Sequence, residues 1–140
     1  MGAVDFAEWV TPDLEITLPG ADGTPGGRTY MVRPPSVEAM KMVLAAAVRA
    51  EVRLGLEEGP IPDEVQQVLD SIGDSHPALG DDVYERMRAD GVPASWIDRV
   101  AYYATFFWAK GRAYADRLAV VLFAPPDVES TPEADASPKA

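Results

Sequence analysis

The stretch that decides the fold is residues 96–122, WIDRVAYYATFFWAKGRAYADRLAVVL. Apolar and small residues recur in it every three or four positions, which is typical of one buried face of an α-helix. They are Ile97, Val100, Ala104, Phe107, Gly111, Ala115, Leu118 and Leu122. Ser95 and Asp98 have the form of an N-cap and its partner in the first turn, and Pro125 follows as a stop signal. The pattern therefore predicts that one long helix closes the folded part of the chain.

This predicted helix carries more aromatic side chains than one apolar stripe can bury. They are Trp96, Tyr102, Tyr103, Phe106, Phe107, Trp108 and Tyr114. A stripe about a hundred degrees wide cannot cover Tyr102, Tyr103 and Phe106 together with the stripe residues. Either other elements cover the helix all round, or part of it contacts a partner, because aromatic residues are enriched in interface cores. We take these seven residues as candidate partner-binding residues and leave core and interface open for those outside the stripe.

Upstream, the pattern changes to that of two short strands. Residues 14–18, LEITL, alternate apolar and polar side chains with the period of a half-buried strand. Residues 29–33, TYMVR, can pair with them across a connection rich in glycine and proline. We expect a β-hairpin over residues 14–33 that packs on the helices, because an isolated hairpin is marginal in water. For the preceding Phe6 and Trp9, core packing is the favoured role.

Three shorter helices are predicted between the hairpin and the last helix. Ser36 is the expected N-cap of the first, and Asp63 with Gln66 has the form of a capping box for the second. The third begins near Asp81 and ends at Gly91, which suits the left-handed residue that closes a helix. The first helix is expected to bury one face, made of Met40, Val43, Leu44, Ala47, Val48 and Glu51.

Together these elements predict an α+β fold that is mainly α. A single domain, residues 1–124, would contain the hairpin at 14–33 and a body of about four helices at 36–124. Residues 125–140 combine proline, serine, alanine and acidic residues with almost nothing to bury. We expect this segment to be a disordered acidic tail.

Composition narrows the class of function. The chain has 140 residues, no cysteine, one histidine and a formal net charge of -11. Residues 57–90 carry ten acidic and two basic side chains, a net charge of -8. This field repels phosphate backbones, so we expect no nucleic-acid partner. With no recognisable nucleophile and base, and no metal-ligand spacing, we also expect no enzyme activity, no metal and no cofactor.

No segment is long and apolar enough to span a bilayer, so no membrane partner is expected. The two helices joined at residues 90–93 have the spacing of a helix-turn-helix. Only Arg99 would supply positive charge to a DNA groove there, and the preceding helix is acidic. An ordinary turn between packed helices is therefore the better interpretation.

Several motifs resemble one family in the same order along most of the chain. Residues 79–92, LGDDVYERMRADGV, resemble the LG…DGV segment of the tail assembly chaperones of phages that infect actinobacteria. In those proteins a helix follows with aromatic and alanine residues arranged as in residues 96–115 here. The opening is also similar, with Asp5 and Phe6, then PDLEI at residues 12–16, and Tyr30 before PPS at residues 34–36.

The resemblance implies a chaperone for the tape measure protein, the long helical rod that sets tail length. Such a chaperone coats the rod in the host bacterial cytoplasm, keeps it soluble and is absent from the mature virion. Many members also exist in a form extended by a programmed frameshift, and this chain would be the short product. The implied partners are the tape measure protein, the extended form of the chain itself, further copies in a homo-oligomer and the major tail protein.

Three other functions compete with this reading. The first is a structural tail or neck protein that stays in the virion as an oligomeric ring, which virion composition would distinguish. The second is a helix-turn-helix regulator, which the charge disfavours. The third and weakest is a hydrolytic enzyme.

Overall fold

The computed structural model describes residues 3–7, 9–20 and 26–123. In chain order its elements are β1 (Leu14–Leu18), β2 (Arg28–Val32), α1 (Val37–Arg53), α2 (Asp63–Asp70), α3 (Asp81–Ala89), α4 (Ala94–Lys110) and α5 (Arg112–Phe123). The predicted class, a mainly helical α+β fold that opens with a β-hairpin, is confirmed. The predicted disordered tail at residues 125–140 lies outside the described residues.

The hairpin is antiparallel and is fixed to the end of α3. Leu14 pairs with Val32, and the alternation along the strands turns Leu14, Tyr30 and Val32 into the core. The Tyr30 hydroxyl donates a 2.6 Å hydrogen bond to Asp90 Oδ2, and the Arg28 guanidinium donates one of 2.6 Å to the Asp90 carbonyl. Asp90 caps α3 and precedes Gly91, whose φ of 78° closes the helix as predicted. The short hairpin is thus held by tertiary contacts.

Helix α1 begins as predicted but buries two sides. Ser36 Oγ accepts a 3.2 Å hydrogen bond from the Ala39 N–H, so the N-cap is confirmed. Val43 and Ala45, two positions apart and therefore on different faces, are both buried because α1 packs against both α2 and α4. Leu44, expected on a single buried face, is 47 % exposed.

Two predicted side-chain caps are wrong. The cap positions of α2 and α4 are Pro62 and Pro93, and neither helix has a side-chain capping bond. Proline fixes φ near the value that leads into a helix, so the chain turns into the helix without a side-chain cap. Asp63 then lies in the first turn of α2, where its charge complements the helix dipole.

The predicted last helix is divided into α4 and α5, which raises the number of helices from about four to five. Gly111 separates them with φ 99° and ψ 167°, a conformation that glycine adopts without steric cost. The chain reverses there, and α5 runs back along α4. Tyr103 accordingly meets Asp116, and the rings of Phe106 and Tyr114 stack with centroids 5.6 Å apart.

The buried side chains form two clusters on different sides of α4. The first lies between the hairpin, α1, α3 and α4 and includes Leu14, Val32, Val43, Met87 and Ala104. The second lies between α1, α4 and α5 and consists of Ala47, Phe106 and Ala115, with partly buried residues around them. Helix α4 contributes to both clusters, and so does α1, through Val43 in the first and Ala47 in the second.

Phe6 and Trp9, for which a core role was expected, are exposed in the structure. Their exposed fractions are 59 % and 63 %. The rings pack edge-to-face on each other, with centroids 5.1 Å apart. The expectation was wrong because a local turn at Phe6 packs the two rings against each other instead of against the core.

We expect Tyr30→Phe to lower the free energy of unfolding by about 0.5–1.5 kcal/mol, because it removes the hydrogen bond that attaches the hairpin to Asp90. Chemical denaturation measures this change. The matched control is Tyr84→Phe on α3, whose ring stacks on His76 and whose hydroxyl bonds to no described residue. Equal effects of the two substitutions would contradict the proposed attachment.

Candidate interaction surface

The described residues contain neither a metal-binding group of side chains nor a membrane-spanning helix. Within residues 3–7, 9–20 and 26–123, no group of three or more histidine, aspartate or glutamate side chains is placed to hold a metal ion. In the same ranges, no helix has the length and apolar character required to cross a membrane.

Three of the seven aromatic candidates use their polar atoms inside the fold. The Tyr103 hydroxyl donates a 2.5 Å hydrogen bond to Asp116 Oδ1. Trp108 Nε1 donates one of 2.9 Å to the Ala78 carbonyl, and the Tyr114 hydroxyl donates one of 2.8 Å to Glu51 Oε2. These bonds join α4 and α5 to each other, to α1 and to the loop before α3. Their polar atoms thus stabilise the fold.

The remaining four candidates lie in different places. Phe106 is 1 % exposed and belongs to the core of the second cluster. Trp96 and Phe107 are half-buried against the first cluster. Tyr102 is half-buried, and its ring packs against those of Phe106 and Phe123. The structure therefore does not gather the seven residues into one surface.

Glu51 explains one anomaly in the sequence pattern. It was the only acidic residue on the predicted apolar face of α1, and it is 7 % exposed. Besides the bond from Tyr114, its carboxylate lies 3.5 Å from the Lys110 ammonium. Burial raises the pKa of Tyr114, and the hydrogen bond to Glu51 raises it further. Glu51 thus links α1 to the turn between α4 and α5.

An open groove between α1 and α4, which we call the α1–α4 groove, is the best candidate surface. It has a volume of about 570 Å³. Each helix contributes four residues at i, i+3, i+4 and i+7, and Phe106 lies at the base. These residues are Ala46, Arg49, Ala50 and Arg53 of α1, and Asp98, Ala101, Tyr102 and Thr105 of α4.

The dimensions of this groove suit another helix. Residues seven positions apart on a helix span about 10 Å, or two turns. Ala46, Ala50 and Ala101 are small, so the backbone of a third helix can approach closely and place its side-chain ridges between α1 and α4. The groove can therefore accept a short stretch of a long helix.

Charged groups line the edges of the α1–α4 groove. Arg49 and Arg53 form no ion pair with any described residue. Burial raises the pKa of Tyr102, while the Arg53 charge lowers it, so the guanidinium lies close enough to act on the phenol. Two unpaired guanidinium groups beside an alanine-lined floor favour an amphipathic helix that carries carboxylates next to its apolar stripe.

Sequence reasoning identified Tyr102 in this groove but missed the α1 side. The signal was present as Ala46, Arg49, Ala50 and Arg53, an i, i+3, i+4, i+7 set that lies off the apolar face. Alanine and arginine at this spacing are also common on solvated helix faces. Only the packing of α1 beside α4 distinguishes a groove from such a face.

We expect Phe106→Ala to lower the free energy of unfolding by about 3–5 kcal/mol, because it opens a cavity in the second cluster. Tyr102→Ala should cost about 1 kcal/mol, since the side chain is half-buried at a groove wall. Urea denaturation of both variants measures the difference. A Phe106→Ala protein as stable as the wild type would contradict the core role and favour an interface role for Phe106.

The stability of the protein should fall as the pH rises from 10 to 12. Burial and the hydrogen bond to Asp116 raise the pKa of Tyr103 from 10.0 to about 12. Between these values the folded state keeps a proton that the unfolded chain loses. The stabilisation is complete below pH 10 and is lost as the pH passes through 12.

Denaturation at stepped pH, combined with tyrosinate absorbance, measures this effect. Tyr103→Phe should make the decline less steep, while Tyr84→Phe serves as the matched control. An unchanged pH dependence in Tyr103→Phe would contradict the assignment.

Comparison with known proteins places the chain by sequence. The model of a family described as a domain of unknown function, DUF7426, matches residues 4–140. No curated protein and no solved structure matches the chain significantly. Since the family match covers nearly the whole chain, the protein belongs to the DUF7426 family.

Proposed function

We propose that this protein is a phage tail assembly chaperone that binds the tape measure protein and keeps it soluble in the host bacterial cytoplasm. The observation that carries the proposal is the α1–α4 groove, whose length, small floor residues and two arginines without an ion pair among the described residues suit an amphipathic helix. The resemblance of residues 79–92 and of the aromatic helix to tail assembly chaperones supports the same function. The protein would act by reversible binding without bond chemistry.

Binding would follow the mode in which an amphipathic helix lays its apolar face into a groove. Two turns of the partner would cover Ala46, Ala50 and Ala101, and its flanking carboxylates would pair with Arg49 and Arg53. Because one groove covers only two turns, a long rod would need several copies of the chaperone. This requirement supports the proposal that the protein works as a homo-oligomer.

The charge distribution suits a protein that keeps a complex dispersed. Residues 57–90, which contain α2 and α3, carry a net charge of -8. Residues 91–123, which contain α4 and α5, carry four basic and two acidic side chains, a net charge of +2. An acidic segment repels the acidic segments of other complexes and so limits aggregation. Residues 91–123, which have a net positive charge, can approach a carboxylate-bearing partner.

The motif that carries most of the resemblance has a structural role in this chain. Asp90 and Gly91 of the segment LGDDVYERMRADGV end α3, and Asp90 accepts the hydrogen bonds from Tyr30 and Arg28. The motif therefore supports a shared architecture, in which the hairpin attaches to α3. It does not mark the contact surface, so partner binding is argued from the groove.

The proposal expects the tape measure protein to be encoded downstream as a long helical protein, and co-expression with it is the test. We expect the downstream protein to become soluble and to co-purify with several copies of this chain. Arg53→Glu should reduce the co-purified amount at least about tenfold, because it replaces a favourable charge contact with repulsion. The matched control is Lys41→Glu on α1, where an exposed side chain outside the groove undergoes the same charge change.

The outcomes separate the proposal from its main alternative. Equal losses in Arg53→Glu and Lys41→Glu would contradict the groove as the binding site. A downstream protein that stays insoluble, together with this chain in purified virions, would favour a structural tail or neck protein that forms an oligomeric ring. Separate pull-downs would test the frameshift-extended form and the major tail protein as partners.

A further inference from the structure

An exposed aromatic arm precedes the hairpin. We define the arm as residues 3–10, of which the structure describes all but residue 8. The Trp9 and Val10 N–H groups donate hydrogen bonds of 2.8 and 3.1 Å to the Phe6 carbonyl, which forms a turn. This turn holds the Phe6 and Trp9 rings against each other and leaves both more than half exposed. Two large rings exposed side by side favour contact with another apolar surface.

A second groove on the same chain has the character that such rings require. We call it the aromatic–proline groove, and its volume is about 550 Å³. Its apolar lining consists of Pro12, Pro34, Pro35, Met40, Phe107 and Trp108. Trp108 is held by its hydrogen bond to Ala78, and the Arg112 guanidinium lies over the Phe107 ring, 5.2 Å from the centroid. The groove is therefore preformed and lies at the C-terminal end of α4.

The arm and the groove have complementary charge. The arm, residues 3–10, contains Asp5 and Glu8 and no lysine or arginine. Arg112 lines the groove and forms no ion pair with any described residue. An acidic segment with two aromatic anchors thus matches an apolar groove with a basic edge.

The arm of the same chain is poorly placed to fill this groove. Thr11 and Pro12 form part of the groove wall, and only Val10 separates Trp9 from that wall. In the structure the turn at Phe6 keeps both rings out of the groove. We propose that the aromatic–proline groove binds the arm of a second copy of this chain, so that copies associate head to tail.

This interface should be weak in isolation. Two aromatic rings bury about 150–250 Å² each, whereas a stable interface buries about 800 Å² per partner. The arm and the aromatic–proline groove are different surfaces, so a pair of copies still has one free arm and one free groove. Association can therefore continue into a ring or an open chain. The association should therefore depend on protein concentration and produce a series of species beyond the dimer.

Sedimentation velocity of the full chain over a concentration series tests the proposal. We expect the wild-type protein to associate and the double variant Phe6→Ala, Trp9→Ala to associate at least about tenfold more weakly. The matched control is Leu44→Ala, which removes an exposed apolar side chain that lines neither surface and should associate like the wild type. A wild-type protein that stays monomeric at every concentration would overturn the proposal, whether or not the arm binds its own groove.

Mixing two defective variants tests the head-to-tail arrangement. Arg112→Glu keeps its arm but repels an incoming acidic arm, whereas Phe6→Ala, Trp9→Ala keeps its groove. Each variant alone should remain mostly monomeric, and their mixture should form one-to-one dimers that grow no further. A mixture that forms no dimers would overturn the proposal. So would a Phe6→Ala, Trp9→Ala variant that associates as strongly as the wild-type protein. These outcomes involve no other protein, so they are independent of the test of the chaperone function.

Discussion

The rest of the structure depends on the need to cover α4 from several directions. Its aromatic and aliphatic residues point to more sides than one neighbouring element can bury. The hairpin, α3 and Val43 of α1 contribute to the first cluster on one side, while α5 and Ala47 of α1 contribute to the second on another. The reversal at Gly111 is essential to this arrangement, because it lets the chain that leaves α4 return along it.

The polar parts of these aromatic residues impose a second requirement. A partly buried hydroxyl or indole N–H without a partner is costly, so an acceptor nearby stabilises the fold, as it does for Trp108 and Tyr114. Asp116 serves Tyr103, the Ala78 carbonyl serves Trp108, and Glu51 serves Tyr114. Each bond crosses from one element to another, so the residues that fill the space around α4 also fix the relative positions of its neighbours. The high aromatic content is largely explained by this structural role.

Local chemistry made much of the fold predictable from the sequence. The alternation in residues 14–18, the hydroxyl of Ser36 before α1 and the glycine at position 91 each act within a few residues. The reversal at Gly111 was missed because a glycine at helical spacing fits an apolar stripe as well as a break. The caps at Asp63 and Ser95 were misplaced because the preceding prolines already direct the chain into a helix.

The candidate surfaces were harder to predict because they require two distant segments to meet. Tyr102 was identified as a candidate, but its groove also needs Arg53, which lies forty-nine positions away on another helix. The exposure of Phe6 and Trp9 depends on a local turn that periodicity does not report. Sequence patterns indicate which faces are apolar, whereas the arrangement of helices decides which of those faces remain open.

The two proposed contacts use different ends of α4 and can operate together. The α1–α4 groove involves positions 98–105 on one face, and the aromatic–proline groove involves Phe107 and Trp108 near the C-terminal end. A long helical partner that binds one copy would raise the local concentration of the next, so a weak arm contact becomes effectively intramolecular. Neither contact then has to be strong alone, and release of the partner would also disperse the copies. Many weak contacts of this kind would suit the proposed function, in which a chaperone coats a rod and later leaves it.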